Sequence, residues 1–141
     1  MEFKKHPNRT LRHTLSIPFI YMMIIPVIIL DIFLEVYHRI CFPLYGLKYV
    51  KRTEYIKLDR HKLAYLSFRE KINCTYCGYV NGFAHYFMTI AGETEKYWCG
   101  IKHKESNEYK MHPHHDDFIE YGNEKEFKKK YCKLGKKNRK N

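Results

Sequence analysis

Sixteen consecutive residues, Leu15 to Leu30, carry no charge and read LSIPFIYMMIIPVIIL. Such a run must be kept from water, in a protein core or in a bilayer. A bilayer crossing takes about 20 apolar residues, and extension to Leu34 reaches that length only by including Asp31. No small-residue cleavage site follows the run, which argues against a removable signal peptide. Ser16 can cap a helix whose first turn accommodates Pro18. Pro26 stands in mid-run, where its ring meets the Met22 carbonyl, so a kink is expected there. The sequence thus predicts a membrane helix over residues 15–38, preceded by a basic flank over 1–14. A short kinked helix either crosses with a bend or enters and leaves by one face. Lys4, Lys5, Arg9 and Arg12 precede the run, and Arg39, Lys48, Lys51 and Arg52 follow it. The positive-inside count is therefore tied and selects no orientation.

Asp31, Glu35 and His38 follow at i, i+4 and i+7, which aligns them on one stripe of a continued helix. Glu35-Val-Tyr-His38 is an E-x-x-H, the spacing by which a helix offers carboxylate and imidazole to one metal in di-iron bundles. Those bundles need carboxylates from further helices, and this chain holds only one such motif. Two readings result. The stripe can sit hydrated at headgroup level, paired with Arg39. Alternatively, Asp31, Glu35, His38 and His61 join His112, His114 and His115 of the tract His112-Pro-His-His-Asp-Asp117 in a second metal site. Cys41-Phe-Pro-Leu-Tyr-Gly46 is expected to end the helix at Pro43 and Gly46. Its aromatics suit an interfacial segment over 39–52.

Beyond this, Cys74, Cys77, Cys99 and His103 make a C-x2-C-x21-C-x3-H constellation. Two cysteines separated by two residues can reach one ion from a tight turn. Cys99 and His103, four apart, share a face if the segment is helical. Three thiolates and an imidazole point to Zn²⁺, with iron as the alternative. Cys74-Thr-Tyr-Cys77-Gly78-Tyr79 resembles the metal knuckle of rubredoxins and zinc ribbons, although a rubredoxin's second C-P-x-C-G is missing. Gly78 also excludes haem attachment, which needs histidine directly after the second cysteine. Four protein ligands leave no open position on the metal, so a binding protein is expected before an enzyme. The chain's five cysteines are an odd number, and metal-ligand spacing favours reduced thiols facing the cytoplasm.

Around these ligands, Ser67-Phe-Arg-Glu70 reads as a capping box for a short helix leading toward Cys74. Val80, Phe83, Phe87 and Ile90 give a helical period that Gly92 is expected to break, with a second helix over Glu93–His103. A metal-binding domain over 53–122 results, small enough for a metal to serve as its staple. A basic tail, expected to be disordered, occupies 123–141. The net charge of +11 is concentrated at the two ends. Basic termini beside a membrane segment fit anionic lipid headgroups, whereas a nucleic-acid binder would carry its charge on a folded face.

The stretches EVYHRICFPLYG, DRHKLAYL, KINCTYCGYVNG and GETEKYWCGIKH resemble a family of small bacterial membrane-associated proteins with no assigned function. The similarity covers about Glu35–His103, and its C-x-x-C-G-Y-x-N-G and Y-W-C-x-I-K-H pieces are distinctive. The resemblance implies a bacterial setting, hence the inner membrane, and supplies no activity.

The expected protein is mostly α-helical, with one N-terminal membrane helix and a small, cytoplasmic, zinc-knuckle-like helical domain. It would act as an accessory or interaction subunit of a membrane complex, with the bilayer and a membrane protein as partners. The alternatives are a metalloenzyme or redox protein using the second Glu/His/Asp site, and a zinc-ribbon-like nucleic-acid binder.

Overall fold

A computed structural model describes residues 9–137, with side chains over 11–131. Among them the chain is mostly helical. The helices are α1 (Arg9–Met22), α2 (Ile24–Tyr45), α3 (Phe68–Trp98) and α4 (Glu124–Lys137), joined by segments that hold three single 3₁₀ turns. The chain divides into two compact units at Ala91/Gly92.

In the first unit, α1 and α2 follow one another with a break at Met23. Pro26 has no N–H to give the Met22 carbonyl, and helical hydrogen bonding is disturbed one turn before it, as the sequence predicts. Met23 N–H bonds instead to the Ile20 carbonyl at 3.3 Å. That carbonyl also accepts the Tyr76 hydroxyl at 2.6 Å, so a side chain from α3 satisfies backbone at the break. Leu11–Tyr45 is long and apolar enough to cross a membrane.

Pro43 does not end α2. It lies in the last turn, where a missing N–H costs one hydrogen bond, and the helix stops at Gly46. Gly46 has φ +68°, a left-handed cap that glycine adopts without strain. Its N–H bonds to Pro43 and that of Leu47 to Phe42, the paired bonds of a Schellman end. The helix therefore reaches seven residues past His38, into the segment expected to be interfacial.

α3 begins as expected. The Ser67 hydroxyl accepts the Glu70 N–H, and the Glu70 carboxylate accepts the Ser67 N–H at 2.9 Å and hydroxyl at 2.8 Å. Its continuation is not as expected, because the knuckle at Cys74–Tyr79 is helix and Gly92 interrupts nothing. Gly78 and Gly82 stand one turn apart on α3 where the 55–58 segment crosses. A Cβ at Gly82 would meet the Tyr55 carbonyl oxygen at 2.8 Å, and one at Gly78 the Lys57 oxygen at 3.2 Å. These glycines serve backbone approach, not a turn around sulfur.

The core of this unit joins Leu34 and Phe42 of α2 to Phe83, Tyr86 and Ile90 of α3, with Val50, Tyr55 and Ile56 against them. The second unit is built around buried His115, Phe118 and Ile119. Ile119 forms a parallel bridge with Ile101, the Ile119 N–H reaching the Gly100 carbonyl and the Lys102 N–H the Ile119 carbonyl, both at 2.8 Å.

Candidate functional site

Among the described residues, polar side chains are buried in two places, one in each unit.

In the first unit, Asp31, Glu35 and His38 share the side of α2 that their spacing predicts. Asp31 and His38 are buried, with His38 completely inaccessible. Their partners come from sequence-distant positions. The Arg52 guanidinium forks onto Asp31, with Nη1 to Oδ1 and Nη2 to Oδ2 at 2.6 Å, and Tyr79 donates to Oδ2 at 2.6 Å. Glu35 accepts from Arg39 and Tyr49 on Oε1 and from Tyr86 on Oε2, at 3.1–3.2 Å.

The backbone fixes the His38 tautomer. Val50 N–H donates to Nε2 at 3.2 Å, so Nε2 is unprotonated and Nδ1 carries the ring hydrogen. That hydrogen points at the Tyr86 oxygen, 3.0 Å away, and Tyr86 in turn donates to Glu35. A directed chain results, from the Val50 amide through His38 and Tyr86 to Glu35. Burial and the Asp31 hydrogen bond push the Tyr79 hydroxyl up to about 12.

This arrangement satisfies the stripe without a metal. Both His38 nitrogens are taken by hydrogen bonds, and Arg52 already supplies the cation that Asp31 requires. Exposed His61 lies in the 3₁₀ turn Arg60–Lys62 and has no part in the network. The sequence shows Arg52 only as a flanking charge and Tyr79 only at the end of the knuckle, and nothing in it marks either of them or Tyr86 as partners, because a stripe on one helix shows none.

In the second unit, Glu95 of the last turn of α3 meets His114 and His115 of the 3₁₀ turn Pro113–His115. His114 Nε2 lies 2.6 Å from Glu95 Oε2, and His115 Nε2 lies 3.2 Å from Oε1. Each carboxylate oxygen thus receives one imidazole. One ligand atom from each of the three residues lies within 4.8 Å of the others. Burial pushes the Glu95 carboxyl up, but the two imidazole hydrogen bonds outweigh it and hold it below the ordinary glutamate value.

His115 is fully buried and its Nδ1 has no partner. An unpaired buried polar atom costs about 1–3 kcal/mol. Two more imidazoles surround this ring, His112 at 5.3 Å and His103 at 5.9 Å between centroids, and Phe118 stacks on it at 4.6 Å. Tyr109, in ring contact with His103, also buries a hydroxyl with no partner. Gly92 makes room for His114, whose Cγ and Nδ1 lie 3.1 Å from where a Cβ would stand. The glycine costs about 1 kcal/mol of helix propensity relative to alanine, and the packing of this ring explains its place.

The predicted cysteine ligands stand differently. Cys74 and Cys77 lie in the first unit, one turn apart within α3. Cys99 and His103 lie in the second, past the last helical residue Trp98, so they lack the shared helical face that their spacing predicts. Cys41, Cys74, Cys77 and Cys99 are all free thiols. Of the four predicted ligands, His103 is the one found among the imidazoles around His115. Glu95 was missed because nineteen residues separate it from His114, and no periodicity links a helix end to a distant loop.

Fold and site together define a mainly helical protein with a span-length apolar helix and a half-buried Glu/His/His cluster. Comparison with family models, curated proteins and solved structures returns no match.

Proposed function

We propose that this chain is a membrane-anchored accessory protein, inserted through α1–α2 and without chemistry of its own in the membrane segment. One observation carries the reading: α2 is inside-out. Its buried residues are Asp31, Leu34, His38 and Phe42. Its exposed face carries Ile25, Ile28, Ile29, Ile32, Phe33, Val36, Ile40 and Leu44, with Arg39 as the charged residue toward its C-terminal end. A soluble amphipathic helix places charge outward and oil inward. Here the carboxylates and imidazole face protein, and the aliphatic side chains face outward, as hydrocarbon demands. A core helix would be mostly buried, whereas little of this one is. At about 1.5 Å per residue, the 22 residues of α2 match a hydrocarbon core of about 30 Å.

The buried network then has a mechanical task. Arg52 and Tyr79 neutralise Asp31, and Tyr49 and Tyr86 satisfy Glu35, so the helix can enter lipid without an unpaired charge. Since every group of the stripe is paired within the unit, the free surface of α2 is apolar apart from Arg39 near its C-terminal end, and it fits lipid or the helix of a membrane-protein partner. A bacterial inner membrane, with the soluble part in the cytoplasm, is the setting that the resemblance noted above implies.

The test is alkaline carbonate extraction of membranes from cells making the full chain, with immunodetection at its natural length. Retention in the pellet is expected. Release into the supernatant, or loss of the first 30 or so residues by processing, would defeat the reading.

A further inference from the structure

We propose that the second unit binds one divalent transition-metal ion, zinc in the first place, through Glu95, His114 and His115, with His103 or His112 as the fourth ligand. The inference does not depend on membrane anchoring. Three donors already converge, each within 4.8 Å of the other two. In a tetrahedral zinc site with bonds of about 2.0–2.1 Å, ligand atoms lie about 3.3 Å apart. Small rotations of three side chains close that difference.

Convergence alone would be a hydrogen-bonded pair of histidines on a glutamate. The second observation is the state of His115. It is fully buried with Nε2 on Glu95, yet Nδ1 has no partner, whereas most buried polar side-chain atoms have one. His103, His112 and His114 all have their rings within 6 Å of it. Imidazole and carboxylate donors without sulfur suit zinc and its neighbours among the divalent ions. Gly92 adds a cradle, because a Cβ there would crowd the His114 ring at 3.1 Å.

The experiment uses the full chain in detergent, freed of metal and titrated with Co²⁺ as a spectroscopic stand-in for Zn²⁺. Thiolate ligation gives intense near-ultraviolet charge-transfer bands, whereas imidazole and carboxylate give only visible d–d bands. The expected result is one ion per chain with d–d bands and no thiolate charge transfer. Affinity should fall at least about tenfold in Glu95→Gln and in His114→Ala, and stay unchanged in Cys74→Ser and Cys77→Ser. Failure to bind, or thiolate bands that vanish in Cys99→Ser, would overturn the proposal; the latter would restore the cysteine set as the site. Unchanged affinity in both Glu95→Gln and His114→Ala would overturn it equally. The wild-type spectrum needs no variant to fold, and circular dichroism shows whether each variant keeps its helix.

Discussion

Asp31 and Arg52 form a buried pair whose two ends contribute unequally. Asp31 is almost wholly buried, and the Arg52 side chain is about one-third exposed. Removing the guanidinium strands a carboxylate, which costs about 3–5 kcal/mol in a fully buried pair. Partial solvent access should bring Arg52→Met down to about 2 kcal/mol. Removing both charges, in Asp31→Leu with Arg52→Met, should recover most of that loss, as a thermal melt in detergent would register. A double variant no more stable than the single one would mean that the pair is not the clamp described. Tyr79 adds a pH prediction. Its folded value is raised from 10.0 to about 12, so its contribution is complete below about pH 10 and is lost as the pH rises toward 12. Alkaline loss of helix should be shallower over that window in Tyr79→Phe, read by circular dichroism.

For the helices, glycine makes α3 what it is. Alanine at an exposed helical site stabilises by about 1 kcal/mol relative to glycine. At Gly82 the new Cβ would meet backbone at 2.8 Å, and overpacking of this kind costs about 1–3 kcal/mol. Gly82→Ala should therefore destabilise despite its better propensity, as a denaturant melt would show. Gly92→Ala meets the His114 ring instead, at 3.1 Å. That side chain can rotate away, so helix stability should hold while metal affinity falls. A variant that binds the ion as tightly as wild type would remove Gly92 from the site. The N-terminal cap is a simpler case: Ser67→Ala should cost about 1 kcal/mol, since the Ser67 hydroxyl holds both the N–H and the carboxylate of Glu70.

At the scale of the molecule, the chain divides into two units, α3 passes from one into the other, and the two proposals fall in separate units. An ion bound only to the native second unit stabilises that unit by mass action, about 2.7 kcal/mol at a concentration 100 times the dissociation constant. Zinc should therefore raise the melting temperature of the second unit and leave that of the first unchanged. Hydrogen exchange read separately over 24–62 and 100–122 would separate the two responses. Protection gained equally over both segments would contradict a site confined to the second.

Several features follow from local sequence. The uncharged run specified a long apolar helix, because no backbone arrangement exposes sixteen such residues to water cheaply. Pro26 marked its break through a missing N–H, and Ser67 with Glu70 marked the start of α3 through reciprocal capping. Asp31, Glu35 and His38 fell on one side because helical periodicity requires it. Tertiary structure decided the rest. Gly78 and Gly92 look like turn signals in the sequence, but a loop backbone and an imidazole ring occupy the space that they leave, so the helix runs on through both. Arg52, Tyr79 and Tyr86 complete the stripe, and Glu95 meets His114 and His115, only because distant segments pack together. No local rule encodes which partner will arrive. Spacing named which residues could bind an ion, and packing brings together two of the named histidines and a glutamate that spacing had not singled out.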